Sequence, residues 1–266
     1  MFKKYRFNRI CRRIKEIKIQ GASNVARAAL RAYYLFPTEK SRKTLIKLRP
    51  TEPMLSHVLY LADKKSKPEI LKHFSEAQNK INQSVFHLIK EHSVIFTHCH
   101  STNVVKALVY AKKHGKNFRV YNTETRPLFQ GRKTSKELSK AGIDVTEIVD
   151  SAAAIAINSS SLVLLGADAL LNDSVINKVG SGMFSEIARN RKVPVYIIAD
   201  SWKYSHKKVK LEQRNFKEVW NPEKNKIHIN NPAFEPIALE NITRIISELG
   251  NLTYKDFLKK VKRRKD

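Results

Sequence analysis

The run Thr97-His98-Cys99-His100-Ser101 holds the residue types best suited to chemistry in this chain, and Cys99 is one of only two cysteines. The apolar stretch Val94-Ile95-Phe96 leads into it and a helical segment over 102–114 leads out. Cys99 therefore sits at the carboxyl end of a buried strand, on the turn into a helix. In open α/β sheets ligands bind at that place. Two readings stand at this point. A cysteine there can be a small buried hydrophobe. It can also be an acid/base or nucleophile whose thiolate is favoured by the N-terminus of the following helix. His98 and His100 alternate on an extended segment and so point away from Cys99. A zinc site needs four ligands of compatible geometry, and no metal is expected here.

The other strand ends carry similar signals. Short stretches rich in apolar and β-branched residues predict strands over 94–97, 118–123, 144–149, 162–165 and 195–199. The residues just past them are Cys99, then Glu124 and Arg126, then Asp150, Asp168 and Asp200. Asp150 precedes Ser151 and reads as a helix cap. Asp168 follows Leu162-Val163-Leu164-Leu165 in Gly166-Ala167-Asp168. A carboxyl at the rim of an apolar strand is a candidate for a raised pKa and thus for general acid work, or else a plain turn residue. Together these ends favour a polar site along one sheet edge.

The elements that must position these groups fall into two regions. Helical periodicity dominates residues 1–91, with apolar stripes such as Val25, Ala28, Ala29, Leu30 and Ile70, Phe74, Ala77, Ile81, Val85. Ser23 is a candidate N-cap for the first of these stripes. No strand signal precedes residue 93. Beyond it, helices over 102–114, 133–141, 151–158 and 182–192 alternate with the strands. That alternation predicts an α/β, Rossmann-like parallel sheet domain over 92–266, preceded by an all-helical N-terminal domain over 1–91.

The 266 residues carry a net charge of +27. Residues 1–50 hold 15 Lys/Arg against 2 acids, and residues 255–266 hold 7 against 2. A solvated, lysine-rich surface is the plain explanation. A polyanion such as nucleic acid is the functional one, although no recognition motif supports it. Two cysteines make no disulfide framework, which suits a reducing cytoplasm. No long apolar run predicts a membrane span, and the basic N-terminus lacks an apolar signal core.

No glycine-rich dinucleotide or P-loop motif occurs, so a nucleotide cofactor is disfavoured. Phosphate can still meet helix N-termini. Gly21-Ala22-Ser23, Ser101-Thr102-Asn103 and Asn177-Lys178-Val179-Gly180-Ser181 each open a helix. Arg49 and Arg126 each precede a proline that restricts the local backbone, and arginine suits bidentate phosphate contact.

Taken in order, several motifs resemble one family. They are Thr97–Ser101, Thr123-Glu124-Thr125-Arg126-Pro127, Gln130-Gly131, Gly166-Ala167-Asp168, Asn177-Lys178-Val179-Gly180, Asn231-Pro232-Ala233-Phe234 and Ile245-Ile246-Ser247-Glu248-Leu249-Gly250. The set resembles archaeal ribose-1,5-bisphosphate isomerases. Their superfamily also holds methylthioribose-1-phosphate isomerase and the regulatory subunits of translation initiation factor 2B. The resemblance implies a Rossmann-like fold and catalysis by Cys99 and Asp168. It further implies phosphate contacts from Gln20, Gly21, Ala22, Ser23, Arg49, Ser101, Thr102, Asn103, Arg126, Asn177, Lys178 and Lys203. It implies a phosphorylated sugar substrate, no cofactor, and a homo-oligomer, either a dimer or a hexamer. The alternative it leaves is a non-catalytic, initiation-factor-like binding protein. Two departures stand out. Gln20-Gly21-Ala22 replaces the isomerases' Arg-Gly-Ala, and Asn172-Asp173-Ser174 lacks their usual glycine.

Overall fold

The computed structural model describes residues 2–222 and 226–264; Met1 and the last two residues of the basic tail lie outside them. Helices come first: α1 (Phe2–Lys15), α2 (Ala22–Tyr33), α3 (Glu39–Ile46), α4 (Pro53–Leu61) and α5 (Lys67–Leu88). The start of α5 is written locally. Ser66 accepts from the Glu69 backbone N–H while the Glu69 carboxylate accepts from Ser66 N–H, with Pro68 in the first turn. Together they satisfy donors that a helix start leaves unpaired. The start of α2 is different. Its N-cap is Gly21, at φ 83°, with no side-chain cap. Ser23 is already inside the first turn and does not cap, contrary to the expectation from sequence.

The strands are β1 (Ser93–Thr97), β2 (Phe118–Thr123), β3 (Asp144–Ile148), β4 (Leu162–Leu165), β5 (Ala169–Leu170), β6 (Ser174–Lys178), β7 (Val195–Ile198), β8 (Phe234–Ala238), β9 (Arg244–Ser247) and β10 (Gly250–Leu252). Between and after them run α6 (Thr102–Lys113), α7 (Gln130–Lys140), α8 (Ala153–Asn158), α9 (Ser181–Asn190) and α10 (Tyr254–Lys262). One seven-stranded sheet has the order β10-β9-β7-β4-β1-β2-β3. It is parallel except for the antiparallel β9–β10 pair. A second, antiparallel sheet has the order β5-β6-β8. The parallel sheet is as expected. The β5–β6–β8 sheet, β9, β10 and α10 were not foreseen, because these strands are short and their burial is shared with distant partners.

Strand order locates the site. From β1 the chain moves outward through β2 to β3, then crosses to the other side of β1 to lay down β4. Such a reversal opens a crevice at the carboxyl ends of the two central strands. Cys99 follows β1 and Asp168 follows β4. Register holds the two ends level, with Thr97 opposite Leu164 and the Thr97 hydroxyl donating to Leu164 O at 2.8 Å.

Helices cover both faces. On one, Phe96, Val163 and Leu165 pack with Phe184 of α9 and Phe257 of α10. On the other, Ile95, Leu162 and Leu164 pack with Leu108 of α6, Leu138 of α7 and Ile81 and Val85 of α5. The alternation along each strand sends neighbours to opposite faces. Each fully buried side chain of this size contributes about 1.5–3 kcal/mol. Apolar burial thus runs across residue 91, since α5 belongs to the sheet's core. Trp202 likewise packs among Ala22, Ala26, Met54 and Phe74 of the N-terminal helices. No helix among the described residues is long and apolar enough to cross a membrane.

Candidate active site

The crevice at the β1/β4 ends is a pocket roofed by the N-terminal helices. It brings together Cys99, Asp168, Gln20, Gly21, Ala22, Ser23, Arg49, Ser101, Thr102, Asn103, Asn177, Lys178 and Lys203. Arg126 is not among its walls. Its side chain is exposed and donates to Val219 O at 3.2 Å, so the structure separates it from the rest.

The turn carrying Cys99 is built tightly. Cys99 has φ 64°, a left-handed conformation uncommon for a residue with a side chain. Its N–H donates to Thr125 Oγ1 at 3.1 Å and its carbonyl accepts from Thr134 Oγ1 at 2.8 Å. Ser101 then caps α6 by accepting from Val104 N–H. Gly166 lets β4 approach this start: a Cβ there would lie 2.6 Å from the Ser101 side chain.

Behind the turn His98 is buried. Its Nε2–H donates to Val179 O at 3.0 Å, so Nδ1 accepts from Thr123 Oγ1. Burial pushes its pKa down to about 4, and the ring is neutral. Its ring packs edge-on against Phe184.

Of the two readings of Cys99, its surroundings oppose the one with a favoured thiolate. Burial pushes its thiol up to about 12, against the pull of Lys178 and the His100 N–H. The helix start does not outweigh desolvation, and the resting group is a thiol rather than a thiolate. Asp168 behaves as its setting implies. Burial raises its pKa, opposed by Lys203, Arg49 and Lys178. Lys203 is held by Ala167 O at 2.6 Å and Asn103 Oδ1 at 3.4 Å.

The β5–β6 hairpin explains how Asp168 meets Asn177 and Lys178. Asp168 N–H donates to Ile176 O, and Leu171 N–H to Ser174 O. Asn172 and Asp173 close the turn without a positive φ, so the family's usual glycine is not required there. The N-terminus of α9, a candidate phosphate site from sequence, is already occupied. The Glu235 carboxylate accepts from Gly180 N–H at 2.9 Å and Gly182 N–H at 2.6 Å.

The remaining strand ends are structural. The Asp150 carboxylate accepts from Thr125 N–H at 2.9 Å and Arg126 N–H at 2.6 Å. It ties down the neighbouring turn and is not the helix cap expected. Glu124 pairs with Arg132 at 2.8 Å. Asp200 caps Trp202 N–H and meets His73 at 3.0 Å.

Sequence reasoning missed a charge chain in the pocket wall. Arg49 Nη2 lies 2.7 Å from Glu52 and its Nε lies 3.4 Å from Glu212. Glu212 also holds Arg214 at 2.9 Å. All four line the pocket. Arg49 is therefore already engaged by two carboxylates. Glu52 carries a local signal, an acid three residues after an arginine. Glu212 and Arg214 lie in an irregular segment with no periodicity to mark them.

Glu52 gives a stability test. Burial, against the pull of Arg49, raises its pKa from 4.5 to about 7. It binds its proton more tightly in the folded chain. Its contribution to stability is full below about pH 4.5 and is lost as pH rises to about 7, by up to about 3 kcal/mol. Glu52→Gln should remove that loss. Urea unfolding at pH 5 and pH 8 reads it: equal pH sensitivity of variant and native chain would refute the raised pKa.

A parallel sheet with a polar crevice at its switch point, roofed by an all-helical N-terminal region, is the fold of the initiation-factor-2B-like proteins. It superposes on a Pyrococcus horikoshii structure described as translation initiation factor eIF-2B with a TM-score of 0.82, covering 93% of this chain and 97% of that one at 24% identity. The eIF-2B delta subunit of Archaeoglobus fulgidus gives 0.76 over 96% and 90%, at 26% identity. The chain belongs to the initiation factor 2 subunit family, whose pattern matches residues 64–254. Two similar relatives are the ribose 1,5-bisphosphate isomerases of A. fulgidus and Methanocaldococcus jannaschii. Each is 31% identical, covering 90% of this chain and 87% and 88% of theirs. The methylthioribose-1-phosphate isomerase of a Thermoanaerobacter species is 36% identical over a shorter stretch, 77% of this chain and 66% of its own.

Proposed function

We propose that this chain is a sugar-phosphate isomerase and that its substrate is ribose 1,5-bisphosphate, converted to ribulose 1,5-bisphosphate. The observation that carries the reading is the meeting of Cys99 and Asp168 at the β1/β4 crevice, beside Lys178 and Lys203. The similar relatives named as ribose 1,5-bisphosphate isomerases, aligned over nearly the whole chain, support that substrate over methylthioribose 1-phosphate. The enzyme would act in the cytoplasm, in salvage of nucleoside monophosphates such as AMP, as a dimer or hexamer.

The chemistry follows from the two side chains. Protonated Asp168 gives its proton to the ring oxygen as the bond from that oxygen to C1 breaks. Cys99, as thiolate, takes the proton from C2. The electrons of that C–H bond form the C1=C2 double bond of the cis-phosphoenolate. The Cys99 thiol then returns its proton to C1 while the C2 hydroxyl gives its proton back to Asp168, which leaves the C2 ketone and restores both side chains. Lys178, Lys203 and the N–H groups of the first turn of α2 hold phosphate and offset the added negative charge. No cofactor is needed for this sequence of proton transfers. Purified protein given ribose 1,5-bisphosphate or 5-methylthioribose 1-phosphate, with products read by NMR, tests the reading. Ribulose 1,5-bisphosphate is the expected product, and turnover of neither sugar would sink it.

Gln20 lines the phosphate end without a charge. Restoring the family's arginine should supply a charge-assisted hydrogen bond, worth about 1.5–3 kcal/mol. Gln20→Arg is thus expected to lower KM roughly tenfold or more with kcat little changed. An unchanged KM would remove Gln20 from the phosphate contacts.

The second reading, a non-catalytic initiation-factor-like protein, is favoured by one observation. Arg49 is held by Glu52 and Glu212, and a phosphate must compete with both for it. Absence of turnover together with stable binding to an initiation factor would establish that reading.

A further inference from the structure

The excess positive charge is not spread evenly. Two grooves beside the pocket share Arg13, Ile19, Arg31 and Lys67 and form one continuous channel across the N-terminal helices. Among the described residues no Asp or Glu lines either part. Along α1, Arg6, Arg9 and Arg13 recur at helical spacing on the channel side, a row of roughly 10 Å along the axis. Arg27 and Arg31 face them from α2, one turn apart.

These cations are largely uncompensated. Lys18 pairs with Glu16 at 2.7 Å and Lys133 with Glu137 at 3.8 Å. Arg9, Arg13, Arg31 and Lys67 have no carboxylate partner among the described residues. Arg27 lies over the Phe74 ring at 4.6 Å with its Nε buried and unbonded. Burial and the charge of Arg31 press its pKa down, against the pull of Asp200. Cations gathered along one channel whose described lining holds no carboxylate are stabilised by a bound anion.

The channel floor narrows the choice of anion. It is apolar, with Ile10, Ile19, Ala28 and Leu35, and Tyr34 stands at its wall, 36% exposed. A row of cations above an apolar floor with an aromatic ring is how proteins hold single strands: the phosphates meet the cations and the bases stack. A duplex would keep its bases from that floor, and an acidic peptide would leave the floor uncovered.

We propose that the channel formed by α1, α2 and the start of α5 is a binding site for single-stranded nucleic acid. The site is separate from Cys99 and Asp168 and meets the pocket only near Gln20. Binding is sequence-independent and dominated by phosphate contacts.

Fluorescence anisotropy of the full chain with labelled 20-nucleotide oligo(U) and oligo(dT), from 50 to 300 mM KCl, tests this. For six phosphate contacts, log K should fall with log salt at a slope of about −4. Reversing three exposed cations together, Arg9→Glu, Arg13→Glu and Arg31→Glu, should weaken binding at least 100-fold and reduce the slope by about 2. Circular dichroism should confirm that the variant stays folded. Lys259→Glu with Lys260→Glu, on the basic C-terminal helix, should change binding less than twofold. The proposal is overturned by absence of binding at 50 mM KCl, or by full binding in the α1/α2 variant. Loss of binding on changing the C-terminal helix overturns it too, as does equal or tighter binding of a poly-glutamate peptide.

Discussion

Replacing Asp168 with asparagine is expected to lower kcat by roughly 10²–10⁴-fold, the usual worth of a positioned general acid. Asparagine keeps the size and offers a hydrogen bond, but it cannot release a proton to a ring oxygen. The pH profile separates this role from a structural one. In the native chain the proposed mechanism needs Asp168 protonated and Cys99 ionised. Burial raises both pKa values, the thiol's to about 12. As pH rises above the Asp168 pKa, each gain in thiolate is cancelled by a loss of acid, so the rate is flat from there to about pH 12. In Asp168→Asn the acid no longer titrates. Its residual rate should climb about tenfold per pH unit through the alkaline range, following the thiolate alone. A residual profile as flat as the native one would remove Asp168 from the proton inventory.

Cys99→Ser is expected to be at least as damaging. A serine hydroxyl fits the turn and keeps the hydrogen bonds of the backbone to Thr125 and Thr134. It is a far weaker acid than a thiol, so at any accessible pH it offers almost no base to C2. A loss of 10³-fold or more in kcat, with KM within about threefold, is the expected result. Substrate binding measured by calorimetry should survive, since the phosphates are held elsewhere. Retention of a tenth of the activity would show that C2 is deprotonated by another group. Because Cys99 rests as a thiol, alkylation by iodoacetamide should also be slow at pH 7 and accelerate with pH. Lys178 is the cation that draws it toward the thiolate.

Much of this was legible in the sequence because it is written over short distances. The strands β1, β4 and β7 are mainly apolar runs and β2 and β3 mix apolar with polar residues, and each lies where its pattern puts it. The capping of α5 by Ser66 and Glu69 lies within four residues. Cys99 and Asp168 could each be placed at a strand end from local pattern alone, and their meeting followed from a resemblance rather than from any spacing. The raised pKa of Asp168 was also foreseeable, since an apolar strand predicts burial. The protonated thiol of Cys99 was not, because a helix start can be read from sequence while the depth of desolvation opposing it cannot.

Strand order and charge pairing belong to the tertiary structure. Nothing local distinguishes β4 beside β1 from β4 beside β3, yet only the first makes a crevice between Cys99 and Asp168. Lys203 reaches Asn103 across a hundred residues, and Glu212 reaches Arg49 across a still longer stretch of chain. Arg126, which looked like a phosphate ligand beside its proline, is turned out to Val219 by the fold. What the sequence determined by itself is therefore which residues sit at strand ends and helix starts, since hydrophobic period and capping act between near neighbours. Which of those ends face one another, and which charges are already taken, was decided only when burial of the sheet's two faces set the order of its strands.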